Sequence, residues 1–530
     1  MLSYKNTKFK PKGKNDSMLK SAHFTFKVKV MHHTSLIEIL RTFTRDEIKK
    51  FDDFVNSPYH NKKSTVANLY HHIKKYAPAF KSQRLEKEKV WKVLFPDKEY
   101  NYGILKNLIF TLTNCAENFI SLENFQKQDV KKKYELLDSL YNREIINLFL
   151  KKYNTLIKNI NTLQKNKKIN FDTFSLMSSK MFGLKLDFSM DHEPHSGIEE
   201  EFKKYINSYV SLFLYNFFSI SVKNISFYTY YNQKEKNIID YILQNKEFNI
   251  LIIELMEYVK SISPEVYNIL EIYYKYYISH SEHSSIEKYS DFKDVLIANA
   301  KNLHKSDLFN LYEGLHNSTI FLNLPENKLN QEILEICKLR VKYEAILNPD
   351  GVLEVAPFVG SIHTAFNLKD SDFIENFVEK FIKFTPRCFT ENLQKFSSAH
   401  LYFLKNKFDK SLEEILTMNY DILYFKYSLR NLRAMNYFEL NDYNSFLLLF
   451  DSYKHFISKD LSGNERFKTK GKLLFNEIKN LFKLRENFNE LDLKNLKSQI
   501  INTPTIIRRQ WLLEKIEELE KSRKNLSLLK

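Results

Sequence analysis

Three stretches decide the fold: KDSDFIENF (369–377), KNKFDKSLEE (405–414) and LNDYNSFLLL (440–449). Aligned on their aromatic residue, they place Phe373, Phe408 and Tyr443 at intervals of 35 residues. Each unit has an apolar helix, a short polar turn and a second amphipathic helix. One such hairpin cannot cover its own apolar face, so it must pack against the next one. The spacing therefore predicts an α-solenoid of helical hairpins.

Composition agrees with an all-α fold. The chain has 530 residues, of which 43% are hydrophobic and only nine are glycine. Tight hairpins and phosphate-binding loops need residues that accept positive φ, so few glycines disfavour Rossmann and P-loop enzymes. The apolar content is sufficient for substantial cores, which excludes a wholly disordered chain.

Positive charge is concentrated at the N-terminus. The net charge is +17, and residues 1–30 contain eight Lys and one Asp. We expect residues 1–33 to be a basic, disordered tail that is dispensable, since Met31 stands just before the first amphipathic helix. The remaining charge is spread over the chain and is weak evidence for nucleic-acid binding.

Helical periodicity divides the rest of the chain into three parts. Residues 34–127 are predicted to form an N-terminal helical bundle, in which Thr44 and Glu47 make a capping box and a helix ends at Ser57-Pro58. Residues 128–262 are an irregular helical middle region. Residues 263–530 are the predicted solenoid, closed by a C-terminal capping helix that starts near Thr503-Pro504. In the clearest hairpin, Ser371 is expected to cap the second helix.

The repeated unit resembles the tetratricopeptide repeat, whose turn carries Gly, Asp or Asn followed by Tyr or Phe. Asn441-Asp442-Tyr443 and Asn406-Lys407-Phe408 match that turn, while of the expected small residues only Ser411 matches. The resemblance implies a protein-binding solenoid. Residues 51–61 (Phe51-x-x-Phe54-Val55-x-Ser57-Pro58-Tyr59-x-Asn61) resemble the opening of an uncharacterised bacterial all-helical family with such repeats, which implies no function.

A second resemblance concerns nucleic acid. Leu94-Phe95-Pro96-Asp97, followed by Leu105-x-Asn107-Leu108, is similar to the winged-helix domain of bacterial regulators. A reading helix presents several Arg, Lys, Asn or Gln, yet Lys106 is the only cation between Ile104 and Ile120. Nucleic acid is therefore the less favoured partner.

Candidate chemistry is sparse. Asp191-His192-Glu193-Pro194-His195 lacks the spacing of a helical zinc motif, and His280 and His283 lie at an expected turn. Nucleophile and phosphate-binding motifs are missing, so neither a metal nor an organic cofactor is expected. Cys115, Cys337 and Cys388 form no CxxC pair, which favours a reducing cytoplasm. The uncharged stretch 205–222 contains several Asn and Ser, so we expect a helix buried among other helices and no membrane insertion.

Inner-face positions follow from the repeat alignment. Twelve and eight residues before the turn aromatic, the polar residues are Ser361, Asn431 and His400, and these are the predicted partner-binding residues. The sequence thus favours a non-catalytic scaffold that binds another protein through the solenoid face. A transcription-regulator-like protein that contacts nucleic acid through its N-terminal module is the alternative. An enzyme with an unrecognised site in the helical middle is the second alternative.

Overall fold

The computed structural model describes residues 31, 34–192, 197–231, 238–280, 285–322, 324–418, 423–459, 465–503 and 506–528. These residues form α-helices joined by turns and short 3-10 helices, and no β-strand occurs among them. The prediction of an all-α fold is confirmed. The chain divides into two compact units, Met1–Lys152 and Tyr153–Lys530.

The first unit is built around one long helix. Its helices are α1 (Ser35–Thr42), α2 (Arg45–Asn56), α3 (Ser64–Lys74), α4 (Lys87–Leu94), α5 (Tyr102–Lys127) and α6 (Asp129–Tyr141). Helices α1 to α4 all pack on α5. The Phe51 ring of α2 lies 5.2 Å from that of Phe119 on α5 and 4.8 Å from that of Tyr70 on α3. Burial of these aromatic rings supplies much of the apolar area of this core.

Two local predictions for this unit are confirmed. The Glu47 amide donates to Thr44 Oγ1 at 3.2 Å and the Thr44 amide to Glu47 Oε2 at 2.8 Å, which is a capping box. Helix α2 ends at Asn56, immediately before Ser57-Pro58. In the segment that resembles a winged helix, Leu105 and Leu108 are buried in the core, so this side of α5 is occupied by packing.

The second unit contains the helical middle and the hairpins. The boundary between the units falls within helix α7 (Ile146–Lys165). The helices that follow it are α8 (Phe171–His192), α9 (Ile198–Tyr231), α10 (Ile238–Gln244), α11 (Lys246–Ile262), α12 (Pro264–Ser279), α13 (Ile286–Asn299), α14 (Lys305–Ser318), α15 (Glu326–Lys342), α16 (Val355–Asn367), α17 (Ser371–Phe381), α18 (Arg387–Leu404), α19 (Phe408–Leu416), α20 (Leu423–Glu439), α21 (Tyr443–Lys459), α22 (Glu465–Glu486), α23 (Glu490–Asn502) and α24 (Arg509–Leu528).

From α16 onward one pattern of helix contacts repeats. Helix α16 contacts both α17 and α18, and the same relation recurs for α18, α20 and α22, each of which contacts the next helix and the one after it. Helix α24 packs on α22 and α23, with Trp511 and Leu512 buried. It begins five residues after the predicted Pro504, which lies outside the described residues. One continuous apolar core runs through this part of the chain.

The same turn ends α15, α16, α18 and α20. In each turn one residue has φ of 56–57° and the next amide donates to the carbonyl five residues earlier, which is a Schellman motif; the positive-φ residues are Glu344, Lys369, Asn406 and Asn441. The last two are 35 residues apart, but Lys369 and Asn406 are separated by 37. The helices that follow begin at Ser371, Phe408 and Tyr443.

These turns correct the alignment of the first hairpin. Ser371, and not Phe373, occupies the position of Phe408 and Tyr443. The aromatic residue that guided the alignment therefore sits two residues later in its helix than its counterparts do. The predicted cap is also one residue away, because Asp370 Oδ1 accepts from the Phe373 amide at 2.9 Å.

Candidate binding groove

A large cavity lies in the second unit and has a volume of about 700 Å³. Helix α15, which packs against both α14 and α16, contributes Ile333, Ile336, Cys337 and Arg340 to its surface. Helices α9 and α12 add Lys223 and the rings of Tyr215, Tyr273 and Tyr276. We call this cavity the α15 groove.

The helices on either side of α15 present different surfaces to the groove. Helix α14 contributes a polar stripe, Asn310, Glu313 and Asn317, whose spacing of three and four residues places them on one helix face. Both asparagines are exposed. Helix α16 contributes small residues, among them Gly360, where an added Cβ would meet no heavy atom within 4 Å. The groove is therefore open beside Gly360.

A buried ion pair joins α14 to α15. Arg340 Nη1 lies 2.7 Å from Glu313 Oε1, and Arg340 Nε donates to the Ala345 carbonyl at 3.3 Å. The Arg340 side chain is only 6% exposed, whereas that of Glu313 is 33% exposed, so the carboxylate reaches the groove. Arg340 Nη2 has no hydrogen-bond partner among the described residues. Breaking such a pair would leave the buried Arg340 charge uncompensated. Because this is costly, the pair keeps both side chains in place.

Three other titratable groups on the groove are held in their neutral forms. Burial lowers the pKa of His316 and raises the pKa of Cys337 and of Tyr276. The Cys337 Sγ lies 3.1 Å from Ser361 Oγ, and burial keeps the thiol protonated despite the nearby charge of Arg340. Charge in the groove therefore comes from Lys223 and from the Arg340–Glu313 pair.

A second buried carboxylate positions the tyrosines. Asp307 on α14 accepts from the Phe171 amide at 3.0 Å and from the Tyr273 hydroxyl at 2.9 Å. Burial raises the pKa of Asp307 to about 6. Tyr273 in turn packs edge-to-face on Tyr215, with ring centroids 4.8 Å apart. This network connects the start of α8 with α14 beneath the groove.

Close packing of a glycine brings α12 against α14. A Cβ placed on Gly314 would lie 2.0 Å from Tyr276 Cε2, so only glycine allows the Tyr276 ring to approach the α14 backbone. Tyr276 also stacks on Phe292 at 5.3 Å between centroids. The two glycines Gly314 and Gly360 are thus opposites, since one is a tight contact and the other borders open space.

The predicted partner-binding residues are not gathered in one place. Ser361 lines the α15 groove, where its hydroxyl donates to the Pro357 carbonyl at 2.8 Å. His400 and Asn431 are not among the groove residues. All three side chains are buried, with relative exposures of 7%, 0% and 7% for Ser361, His400 and Asn431. Their contact with a partner stays a prediction.

Sequence reasoning missed several residues of the second unit. Counted from the turn, His363 is the counterpart of His400 and Met435, because each lies six residues before a positive-φ residue. Arg340, Glu313 and Gly360 lie at helical positions without a motif. The polar turn at Lys369-Asp370 was the one sequence signal that could have found His363. Alignment on Phe373 places this turn two residues too late in the sequence.

The remaining residues that the sequence singled out lie away from the groove or outside the described residues. Asp191 and His192 end α8, whereas Glu193, Pro194 and His195 are outside the described residues, as is His283. His280 is buried at the end of α12. Within the described ranges, no group of three or more His, Cys, Asp and Glu side chains is placed to hold a metal ion. The uncharged stretch 205–222 lies inside α9, and no described helix is both long and apolar enough to span a bilayer.

The groove combines amide groups, one ion pair, aromatic rings and an apolar surface on α15. Such a mixture suits the binding of a polar ligand with some apolar area. A comparison with protein-family models, with curated protein sequences and with solved structures finds no match to this chain.

Proposed function

We propose that this chain is a non-catalytic scaffold, an α-solenoid of tetratricopeptide-like hairpins, that binds a segment of a partner protein in the α15 groove. The observation that supports this most is the open space beside Gly360 in a groove that the exposed amides of Asn310 and Asn317 also line. The proposal requires no metal and no organic cofactor.

A polypeptide segment fits the chemistry of the groove. An extended backbone needs both donors and acceptors, and each asparagine side chain supplies both. Small residues on α16, Gly360 above all, let a backbone approach closely. A cavity of about 700 Å³ accommodates a few residues of such a segment. The aromatic rings of Tyr215 and Tyr276 add area for apolar side chains.

The charged side chains of the groove would orient a bound segment. Glu313, a third of whose side chain is exposed, presents a carboxylate to a cationic side chain or a backbone amide of the partner. Lys223 lies on α9, which also lines the groove, and provides a cation. Because Arg340 holds Glu313 in place, the carboxylate is preorganised and loses little entropy on binding.

We place the protein in a reducing cytoplasm as part of the same proposal. Cys115, Cys337 and Cys388 are all free thiols, and the first two are buried. Free thiols persist in a reducing compartment.

Site-specific photo-cross-linking in the native host tests the proposal. A benzophenone amino acid at Ile320, which lines the groove and is 48% exposed, is expected to form an adduct with a partner polypeptide. The matched position is Leu448 on α21, which is 75% exposed and does not line the groove. Protein adducts from Ile320 alone support the proposal. Absence of a protein adduct at Ile320, or equal adducts at both positions, contradicts it.

A further inference from the structure

A second, smaller pocket lies at the start of α24. It has a volume of about 240 Å³ and shares no residue with the α15 groove. Its lining comes from the start of α15, the ends of α16 and α18, Met435 of α20 and the beginning of α24. We call it the Arg508 pocket, because the Arg508 and Arg509 side chains both line it.

Arg508 carries a positive charge that forms no ion pair with a described carboxylate, although the charge of Glu326 acts on it from farther away. Its Nη1 donates to Asn367 Oδ1, a neutral acceptor, and its guanidinium lies 4.5 Å from the centroid of the Phe366 ring. Among the described residues, no carboxylate oxygen lies within 4.0 Å of it. Burial lowers the pKa of Arg508 to about 10, so the side chain is still charged at pH 7. A partly buried charge without an ion-pair partner is unfavourable, and an anion in the pocket would relieve it.

Arg509 also has hydrogen-bonding capacity that an anion in the pocket could use. Its Nη2 donates to the Thr503 carbonyl at 2.6 Å, but its Nε is buried and has no hydrogen-bond partner among the described residues. Arg508 is also the residue whose carbonyl accepts the first bond of α24, from the Leu512 amide at 3.0 Å. The first turn of α24 contains no acidic residue to complement the positive end of its helix dipole.

One carboxylate lines the pocket and limits its positive charge. This is Glu326 at the start of α15, and burial raises its pKa despite the nearby charges of Arg509 and Arg508. Lys369 also lines the pocket, but it pairs with Glu514 at 2.7 Å. Two arginines thus face one glutamate, so the pocket has an excess of positive charge.

Apolar side chains form the remaining wall. Phe403, Leu404, Met435, Trp511 and Leu513 line the pocket beside the two arginines. A ligand with a charged head and a short apolar body would satisfy both parts of this surface.

We propose that the Arg508 pocket binds a small organic oxyanion, with a carboxylate or phosphate head on Arg508 and Arg509 and a short apolar tail against Trp511. The guanidinium fork suits both heads, because each offers two oxygen acceptors in one plane. The proposal does not depend on what occupies the α15 groove.

Calorimetric titration of the full chain tests this proposal. The probes are hexanoate, inorganic phosphate and, as a neutral ligand with the same tail, 1-hexanol. Hexanoate binding without hexanol binding identifies a carboxylate head, and phosphate binding identifies a phosphate head; either supports the proposal. If neither anion binds the wild-type chain or the Glu326→Gln variant, the proposal is overturned.

A gain-of-binding variant guards against loss of fold. Glu326→Gln removes the carboxylate that lines the pocket, so we expect the anion to bind about tenfold more tightly. The matched control is Glu391→Gln, whose carboxylate is 82% exposed on α18, and its affinity should equal that of the wild type. Equal tightening in both variants, or none in Glu326→Gln, would show that the anion binds elsewhere on this basic surface and would overturn the proposal.

Discussion

The imidazole rings of His363 and His400 lie 5.2 Å apart, centroid to centroid, in the core between α16 and α18. His400 Nδ1 donates to the Phe396 carbonyl at 2.7 Å, and the Nε2 atoms of both rings have no partner among the described residues. Burial lowers the pKa of both histidines, that of His400 to about 3. Both rings are therefore neutral in the folded chain at pH 7.

This pair predicts an acid-sensitive fold. Because the folded pKa lies below the unfolded value of about 6.5, the unfolded chain binds more protons as the pH falls below 6.5, and stability is lost there. At pH 5 His400 alone should cost about 2 kcal/mol relative to pH 7. His400→Met, which copies Met435 of the next hairpin, should reduce the pH dependence of the unfolding free energy by that amount. Denaturant titrations at pH 7 and pH 5 measure it.

A matched substitution separates burial from mere loss of a histidine. His455 is exposed on α21, so His455→Met should leave the pH dependence as in the wild type. If His400→Met and His455→Met behave alike, then His400 is not held neutral by burial.

Asp307 predicts a pH dependence of stability with the opposite sign to that of His400. Its folded pKa of about 6 lies above the ordinary aspartate value of about 3.9, so the folded chain binds the extra proton and stability falls as the pH rises from about 4 to 6. Asp307→Asn abolishes this titration. Between pH 4.5 and pH 7, the variant should gain about 2 kcal/mol of unfolding free energy relative to the wild type. A difference that stays constant over this pH range would contradict the prediction.

The two glycines of the groove predict opposite effects of the same mutation. Gly314→Ala places a Cβ against the Tyr276 ring and should cost at least about 2 kcal/mol of unfolding free energy. Gly360→Ala meets no neighbouring atom and should stabilise α16 by up to about 1 kcal/mol, since alanine favours helix over glycine. Thermal and denaturant unfolding of the two variants measure this. Destabilisation of similar size in both would show that the contact with Tyr276 is not the cause.

Substitutions at Arg340 and Glu313 are predicted to have strongly coupled effects on the unfolding free energy. Glu313→Met leaves Arg340, whose side chain is only 6% exposed, without its partner and should cost about 3 kcal/mol. Adding Arg340→Met removes the orphaned charge, so the double variant should be more stable than Glu313→Met alone. A double-mutant cycle on the unfolding free energy gives the coupling energy. Additive effects of the two substitutions would show that the pair does not act as a unit.

Much of the fold was predictable because helical periodicity is a local property. The capping box at Thr44 and Glu47 and the end of α2 before Pro58 follow from neighbouring residues alone. The hairpin register was harder, because the backbone turn defines the repeat. Lys369 and Glu344 adopt positive φ as Asn406 and Asn441 do, but neither Lys nor Glu marks a left-handed turn in a sequence.

The groove could not be predicted for a different reason. Its lining runs from Tyr215 to Thr364 and depends on which helices become neighbours. Gly314 and Gly360 look alike in the sequence, and only the position of Tyr276 distinguishes them. The burial of Ser361, His400 and Asn431 likewise depends on packing between hairpins, which the repeat alignment does not contain.

The affinity of the cross-linked partner segment for two variants at Gly360 tests most directly whether the α15 groove binds the partner. Gly360→Phe fills the open part of the α15 groove, whereas Gly360→Ala leaves most of it free. We predict that Gly360→Ala binds the segment as the wild type does and that Gly360→Phe, folded to the same extent by circular dichroism, loses binding at least about tenfold, which corresponds to about 1.4 kcal/mol. Unchanged affinity in Gly360→Phe would contradict the assignment of the groove as the partner-binding site.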